Sequence, residues 1–439
     1  MISKEYKKLA HQLLSFAKES GCSASRIAVV TGTERSFEYR NTQLETLQQS
    51  AQNQLTLTLF VDGRYGIFST NRLEINELKR FVQNAIDSTR YLAEDPNRSL
   101  PAPERYYRGN DAPDEGFDRQ IAQLQPEDML QLIKATVEEV YITDDRIISV
   151  TGSYGDSEEH SYLIDSNGFE GEKAMTSCTL SAEVSLKGEG NARPESWWYD
   201  VSLFWKQLQK EGIGKKALER ALNKLGQEKI KSGKYPMIVD NMNVGRLLSP
   251  MIAAMNGNAL AQKDSFLLDK LEQKIACDKL TLTDEPHLPL AQGNRRFDNE
   301  GVATRTRTVI EKGVLKTYFI DTYNAHRLKM EPTIGGASVL TFQPGNKDQQ
   351  GLIAQLKKGI LVTGFNGGNS NSATGDFSFG IEGFLIENGQ LIKPVSEMNI
   401  TGNLLTLWTS LVEIGNDART GSSWRTPSLL FDEVNFSGL

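Results

Sequence analysis

Apolar residues recur along this chain at two periods, and the switches between them mark out its elements. Over 4–20, Leu9, Leu13, Phe16 and Ala17 fall at helical spacing, and Gly21 supplies the left-handed residue that ends such a helix. A strand over 26–31 and a charged strand through Phe37 and Tyr39 follow. Leu55, Leu57 and Leu59 then alternate ahead of an Asp62-Gly63 turn, and 65–68 returns, which predicts an antiparallel hairpin with one buried face. The helical period resumes over 75–93 through Leu78, Phe81, Val82 and Ile86.

Between 94 and 118 the pattern breaks into charge, glycine and Pro96, Pro101, Pro103 and Pro113, which reads as a domain connection. A helix over 126–139 leads to R-I-I-S-V-T-G at 146–152, an echo of R-I-A-V-V-T-G at 26–32, so a helix-plus-meander unit is expected twice. D-S-N-G at 165–168 marks a turn and 179–187 a long strand. Trp197, Trp198 and Tyr199 are expected to seal a core or a domain seam rather than bind a ligand. The Lys- and Glu-rich run 215–231 predicts a helical linker stopped by Gly233.

Beyond it the chain is strand-rich: 236–240, 304–311, 314–321, 360–363, 384–387 and 427–431 read as strands, with corners at Lys312-Gly313 and Asn388-Gly389. The fold class is α+β, with N-terminal α+β units containing antiparallel meanders, 1–105 and 118–232, followed by a β-rich C-terminal domain, 233–439.

Composition narrows the partners more than the fold. Charged residues make up 24% and apolar ones 38% of 439 residues, an ordinary globular balance with ample core for two or three domains. A net charge of -7 argues against a nucleic-acid surface. Cys22, Cys178 and Cys277 form no C-x-x-C pair, which supports neither a disulfide framework nor a zinc knuckle and fits reduced thiols. With no signal-peptide core at the N-terminus and no membrane-length apolar run, the expected location is cytoplasmic and no membrane is implied.

The least ordinary run is 359–389, G-I-L-V-T-G-F-N-G-G-N-S-N-S-A-T-G-D-F-S-F-G-I-E-G-F-L-I-E-N-G. Two apolar strands flank a polar loop whose glycines leave backbone amides open to another chain or a small anion, so Asn366, Gly367, Gly368, Asn369, Thr374, Asp376 and Ser378 are candidate contacts to a peptide or partner. No G-x-x-x-x-G-K-[ST] accompanies them, so this is not a phosphate cradle. Thr374, Asp376 and Ser378 could carry chemistry, but an Asp in such a loop more often orders its own backbone. His11, His160, His287 and His326 are dispersed, with no H-E-x-x-H or longer-spaced relative, and no G-x-S-x-G elbow occurs. Asp298, Glu300 and Glu382 cannot be placed relative to one another by sequence.

The run 359–389, with P-V-S-E-M-N-I-T-G-N-L at 394–404, V-E-I-G-N-D at 412–417, D-S-F-L-L-D-K-L at 264–271 and F-D-N-E-G-V at 297–302, resembles the TldD/PmbA family, or modulator of DNA gyrase. That resemblance implies smaller α+β units ahead of a β-rich C-terminal domain. It also implies two kinds of member that pair: TldD proteins, which hold zinc through H-E-x-x-x-H and a C-terminal cysteine, and TldE or PmbA proteins, which lack them.

Here Ser249, Pro250 and Ala254 stand where the two His and the Glu would be, in a helix over 243–255, and 415–427 offers serines but no cysteine. The implied role is therefore a non-catalytic TldE/PmbA-type subunit with no cofactor of its own, zinc being carried by a TldD-type partner. The implied assembly cleaves short or unfolded peptides, matures microcin-like peptide antibiotics and degrades an antitoxin acting on gyrase. Rival expectations are a stand-alone hydrolase, including a homodimer formed in the partner's absence, and a regulatory protein that touches gyrase or its inhibitors.

Overall fold

The structure, a computed structural model, describes residues 1–109 and 115–439; Pro113 of the expected connection lies outside the described residues. The first unit runs α1 (Lys4–Glu19), β1 (Ala24–Arg40), β2 (Gln43–Val61), β3 (Arg64–Thr70) and α2 (Ile75–Thr89). After a 3-10 turn at Pro103–Arg105, the second runs α3 (Arg119–Gln123), α4 (Pro126–Glu138), β4 (Ile147–Asp165), β5 (Glu170–Leu186), β6 (Glu195–Ser202) and α5 (Ile213–Leu222).

Setting the short α3 aside, each unit is helix, three-strand meander, helix, as the sequence echo predicts. The two meanders are one sheet, in the order β3-β2-β1-β4-β5-β6. Its midline is the antiparallel pairing of β1 with β4, from Arg26 opposite Asp165 to Arg40 opposite Thr151.

Alternation decides what each face of this sheet covers. Ile27, Val29, Leu55, Leu57 and Leu59 pack with Leu9, Leu13 and Ala17 of α1 and Leu78, Val82 and Ile86 of α2. Phe37, Tyr154, Leu180 and Val184, on the same face further along, pack with Met129, Ile133 and Val137 of α4 and Ile213 and Ala217 of α5. The opposite face meets the C-terminal domain through Leu163, Phe169 and Phe297, with Tyr106 from the connection.

On the midline Arg35 grips Asp156 with Nε–Oδ1 and Nη2–Oδ2 distances of 2.8 Å, and it also donates to the carbonyls of Ile121 and Leu124. Tyr154 donates to the same carboxylate at 2.9 Å.

The remaining chain runs β7 (Gly233–Val239), α6 (Val244–Ala254), α7 (Gly257–Ala261), β8 (Leu282–Asp284), β9 (Arg307–Glu311), β10 (Val314–Leu315), α8 (Thr322–Leu328), β11 (Leu340–Phe342) and α9 (Gln349–Ala354). It ends with β12 (Lys358–Phe365), β13 (Asn369–Ser370), β14 (Asp376–Glu387), β15 (Gln390–Asn403), α10 (Leu404–Thr409), β16 (Leu411–Ile414), β17 (Trp424–Arg425) and β18 (Leu429–Ser437). The larger sheet runs β12-β7-β18-β15-β14, and β14 pairs back onto β12, so these strands close on themselves. A smaller sheet, β10-β9-β8-β11-β17, lies beside it over the same core. This is the α+β, strand-rich C-terminal arrangement that the sequence predicts.

Local expectations are corrected in two places. The helix expected over 215–231 stops at Leu222, because Gly226, at φ 71°, turns the chain toward the barrel, where Lys224 pairs with Glu382 at 2.7 Å. The strand expected over 314–321 ends at Leu315, and beyond it Tyr318, Phe319 and Ile320 are buried in the core outside any strand. Phe319 instead bonds through its backbone to Met255 and Gly257.

The aromatic cluster does sit at a seam. Arg220 and Arg419 lie 5.5 and 5.3 Å from the Trp198 ring, and Arg419 lies 4.6 Å from that of Tyr199. All three cysteines are unpaired, and burial pushes the Cys22 thiol up to about 11 and that of Cys178 up to about 12. Among the described residues no helix is long and apolar enough to cross a membrane.

Arg35→Ala leaves the 3% exposed Asp156 carboxylate without its cation. Breaking such a buried pair should cost about 3 kcal/mol, read as a lower urea midpoint with an unchanged slope.

Candidate functional site

The polar loop expected between two strands is mostly strand. β12 runs on to Phe365, bulges at Asn366, Gly367 and Gly368, and continues as β13, all along β14. The arm then reverses at 371–375, which makes it a bulged hairpin. Gly367 and Gly368 both have positive φ, 73° and 82°. A Cβ on Gly368 would lie 2.1 Å from the Ser378 carbonyl oxygen, whereas one on Gly367 meets open space. Asn366 through Asn369 are all exposed.

At the tip, Asn371 accepts from the backbone N–H groups of Ala373 and Thr374. Thr374 donates to Asp376 at 2.8 Å, and Asn403 Nδ2 donates to Asp376 at 2.9 Å and to the Thr374 carbonyl at 2.8 Å. These bonds, Asn403's first, hold the Asp376 carboxyl below its ordinary value. Asp376 therefore orders the tip, and Ser378 stands exposed beyond it on the same strand.

Helix α6 is fixed to this hairpin from both sides of its start. Asp240, at the end of β7, accepts from the backbone and side chain of Asn243 at 3.0 and 2.6 Å, and Asn243 donates to the Thr363 carbonyl at 2.8 Å. Arg246 donates to the Gly368 carbonyl at 2.8 Å and lies 4.6 Å from the Phe379 ring centroid. Further along, Ser249 faces solvent, Pro250 lies inside the helix and Ala254 is 2% exposed in the core. A hydroxyl, a pyrrolidine ring and a methyl offer zinc neither an imidazole nor a carboxylate base.

The four histidines are engaged elsewhere: His11 with Tyr162, His160 with the N-terminus, His287 with Thr304 and His326 with the Asn97 carbonyl. Among the described residues no three His, Cys, Asp or Glu side chains are gathered as a metal site. These residues do not fit a catalytic zinc.

Sequence reasoning missed a cleft between the six-stranded sheet and the C-terminal domain. Lys173 and Met175 of β5 and Leu203 form one wall; Leu290, Gly293 and Arg295 form the other. Its inner cavity is about 180 Å³, with Arg296, Phe297 and Tyr107 beyond, and it continues outward past Gln292 to Arg425.

Arg295 is held by Ser338 Oγ at 2.8 Å and the Gly336 carbonyl at 2.7 Å, and Arg296 by Glu115 at 2.6 Å. Burial, with Arg295 nearby, holds the Lys173 ammonium below the usual lysine range, and its Nζ lies 5.5 Å from the Phe297 ring. The Arg425 Nε is buried with no hydrogen-bond partner among the described residues. The adjacent Arg295-Arg296 pair was the one sequence signal available.

Paired meanders ahead of a closed, strand-rich domain, with a cleft between them, define a multidomain α+β protein. Residues 26–89, 119–225 and 232–438 match, in order, domain 1, the central domain and the C-terminal domain of PmbA/TldA metallopeptidases, and the chain belongs to this PmbA/TldD family.

It is 29% identical to the metalloprotease PmbA of Escherichia coli O157:H7, over 98% of this chain and 97% of that one. Among solved structures it is 57% identical to a candidate modulator of DNA gyrase from Bacteroides thetaiotaomicron, covering 100% of both chains with a TM-score of 0.98. TldE from Thermococcus kodakarensis, 21% identical over 98% of this chain and 100% of that one at a TM-score of 0.87, shares the fold.

Gly368→Ala forces a contact that Gly367→Ala avoids. The first should cost about 1–3 kcal/mol more than the second in chemical denaturation. Asp376 has a depressed folded pKa, so its contribution is complete above the ordinary value of 3.8 and is lost as pH falls through the lower folded one. Asp376→Asn should therefore lack that acid-side loss, measured as a smaller drop in urea midpoint between about pH 5 and about pH 3.

Proposed function

We propose that this chain is the non-catalytic, TldE/PmbA-type subunit of a two-chain zinc peptidase, with the metal carried by a TldD-type partner. The observation that carries the reading is the chemistry of α6: the helix and its anchors are in place, yet Ser249, Pro250 and Ala254 supply no donor set. The match to PmbA over nearly its whole length supports the family membership on which the reading rests.

Its contribution is to bind and position. Lys173 and Arg295 in the interdomain cleft suit the carbonyl oxygens and terminal carboxylate of an extended peptide, and Glu159 and Glu172 its N–H groups, so that it is recognised without regard to sequence, as short or unfolded clients require. The exposed bulge at Asn366, Gly367, Gly368 and Asn369 is the proposed contact to the partner. Antibiotic-peptide maturation, removal of a gyrase-directed antitoxin and a cytoplasmic location belong to the same reading.

The test is reconstitution. The purified chain should bind no stoichiometric zinc and cleave no unfolded peptide, whereas mixing it with a TldD-type relative should give cleavage that a chelator abolishes. Cleavage by this chain alone that survives the chelator would sink the assignment in favour of a stand-alone hydrolase. Arg295→Ala in the reconstituted enzyme should raise KM about tenfold with kcat little changed, as loss of uniform binding does. Asn366→Trp with Asn369→Trp, which spares both glycines, should weaken partner association measured by calorimetry.

A further inference from the structure

The four cations along the interdomain cleft differ in what already holds them. Arg295 uses Nε on Ser338 Oγ and Nη2 on the Gly336 and Ala337 carbonyls. Arg296 is bound by both oxygens of Glu115, and the charge of Lys173 is favoured by Glu159 and Asp298. Arg425, on β17, makes no hydrogen bond or ion pair among the described residues, and its Nε is buried without a partner. Glu285, which favours its charge, instead accepts from the Thr341 hydroxyl at 2.6 Å. A half-buried guanidinium with donors and no acceptor costs stability unless a ligand completes it.

Arg425 lines the outer chamber of the cleft, about 230 Å³, and Leu203 and Leu290 line both this chamber and the inner one. Asp200 stands across from it at the lip: its Oδ2 accepts the Gln209 N–H at 2.8 Å, and its Oδ1 lies 3.8 Å from the Cβ position of Gly421. The wall that carries Arg425 is pinned on both sides. Arg419 donates to the Tyr199 carbonyl at 3.4 Å and Thr426 to that of Asn241 at 2.7 Å. A Cβ on Gly421 would lie 2.7 Å from the Val201 carbonyl oxygen, so glycine lets the loop close on β6.

We infer that Arg425 anchors the terminal α-carboxylate of a peptide whose chain runs inward past Leu203 and Leu290, leaving its carbonyl oxygens to Lys173 and Arg295. The inference rests on the peptide reading of the cleft and gives the bound chain a direction. A carboxylate matches the guanidinium fork with two parallel bonds. The last residue of a peptide also carries an N–H, which Asp200 Oδ1 is placed to accept. A bare inorganic anion offers no such donor and meets the Asp200 charge instead. Every peptide ends in the same group, so this contact ignores side chains; it does require a free end, which short and unfolded chains supply and most folded ones do not.

Fluorescence anisotropy with the purified chain tests this, using two labelled, unstructured decapeptides of one sequence that end in a free carboxylate or in an amide. The acid should bind about tenfold tighter. Arg425→Gln should abolish that difference by weakening the acid alone, and Arg425→Lys should recover part of it. The urea midpoint of both variants should stay at the parent value, because the guanidinium has no bond to lose. Hippurate, which has the carboxylate and its acylated N–H but no further chain, reads the outer chamber by itself; calorimetry should show it binding the parent and not Arg425→Gln. Hippurate bound through Arg425 while neither decapeptide binds would keep the carboxylate site and sink the peptide reading. Equal binding of acid and amide, or equal loss of both in Arg425→Gln, would overturn the anchor and leave the peptide reading standing. Glycine or inorganic phosphate bound as tightly as hippurate would also overturn it, in favour of a free amino acid or an adventitious ion only, and so would no binding of hippurate or of either peptide.

Discussion

The β1–β4 pairing is the constraint on which the molecule depends. It joins two helix-flanked meanders into one sheet, and register follows, because a slip by one residue would turn Ile27, Val29 and Phe37 away from their helices. Arg35 and Asp156 stand opposite one another in that register, nearly buried, and their bonds reach Tyr154 and the carbonyls around α3. A buried ion pair adds little net stability over an apolar one, but it penalises every misregister that would part its members. Here it sits where a misregister would do the most damage.

With the helices confined to one face, the other is left for the C-terminal domain, and that is where the cleft forms. Lys173 and Met175 point into it because β5 alternates, with Ala174 and Cys178 on the helix side. The opposite wall is loop, but loop tied down: Asp284 accepts from the Ser338 and Val339 backbones, and Asp298 from those of Glu300 and Val302. Rigid loops on a closed sheet are a common way to fix a binding surface.

Period and punctuation made much of this legible. The helices α1, α2 and α4, the first hairpin and the repeated unit follow from apolar spacing and from the echo of 26–32 at 146–152. Errors arose where tertiary contacts overrode the local signal: Gly226 ended a run rich in helix formers, and Phe319 was drawn into backbone bonds with the turn after α6. The glycine-rich arm read as loop because its polar residues alternate with glycine on the exposed face of β14, while Phe377, Phe379 and Ile381 point inward at strand spacing. The cleft was hidden for a different reason. Its walls come from residues 173–203 and 290–338, and no local pattern announces that two distant segments will face each other.

Charge distribution gives the cleft a character that composition conceals. The chain is acidic overall, and this opening gathers both signs: Lys173, Arg295, Arg296 and Arg425 line it together with Glu115, Glu159 and Glu172. Burial already weighs against the charged form of Lys173, and Arg295 adds to it. Glu159 and Asp298 work the other way and favour its charge, so the cation is partly balanced within the fold. A helix such as α6, stripped of donors but still clamped by Asn243 and Arg246, adds no competing charge. The frame around α6 is thus kept rigid while, among the described residues, no cluster of His, Cys, Asp or Glu gathers there to hold a metal ion.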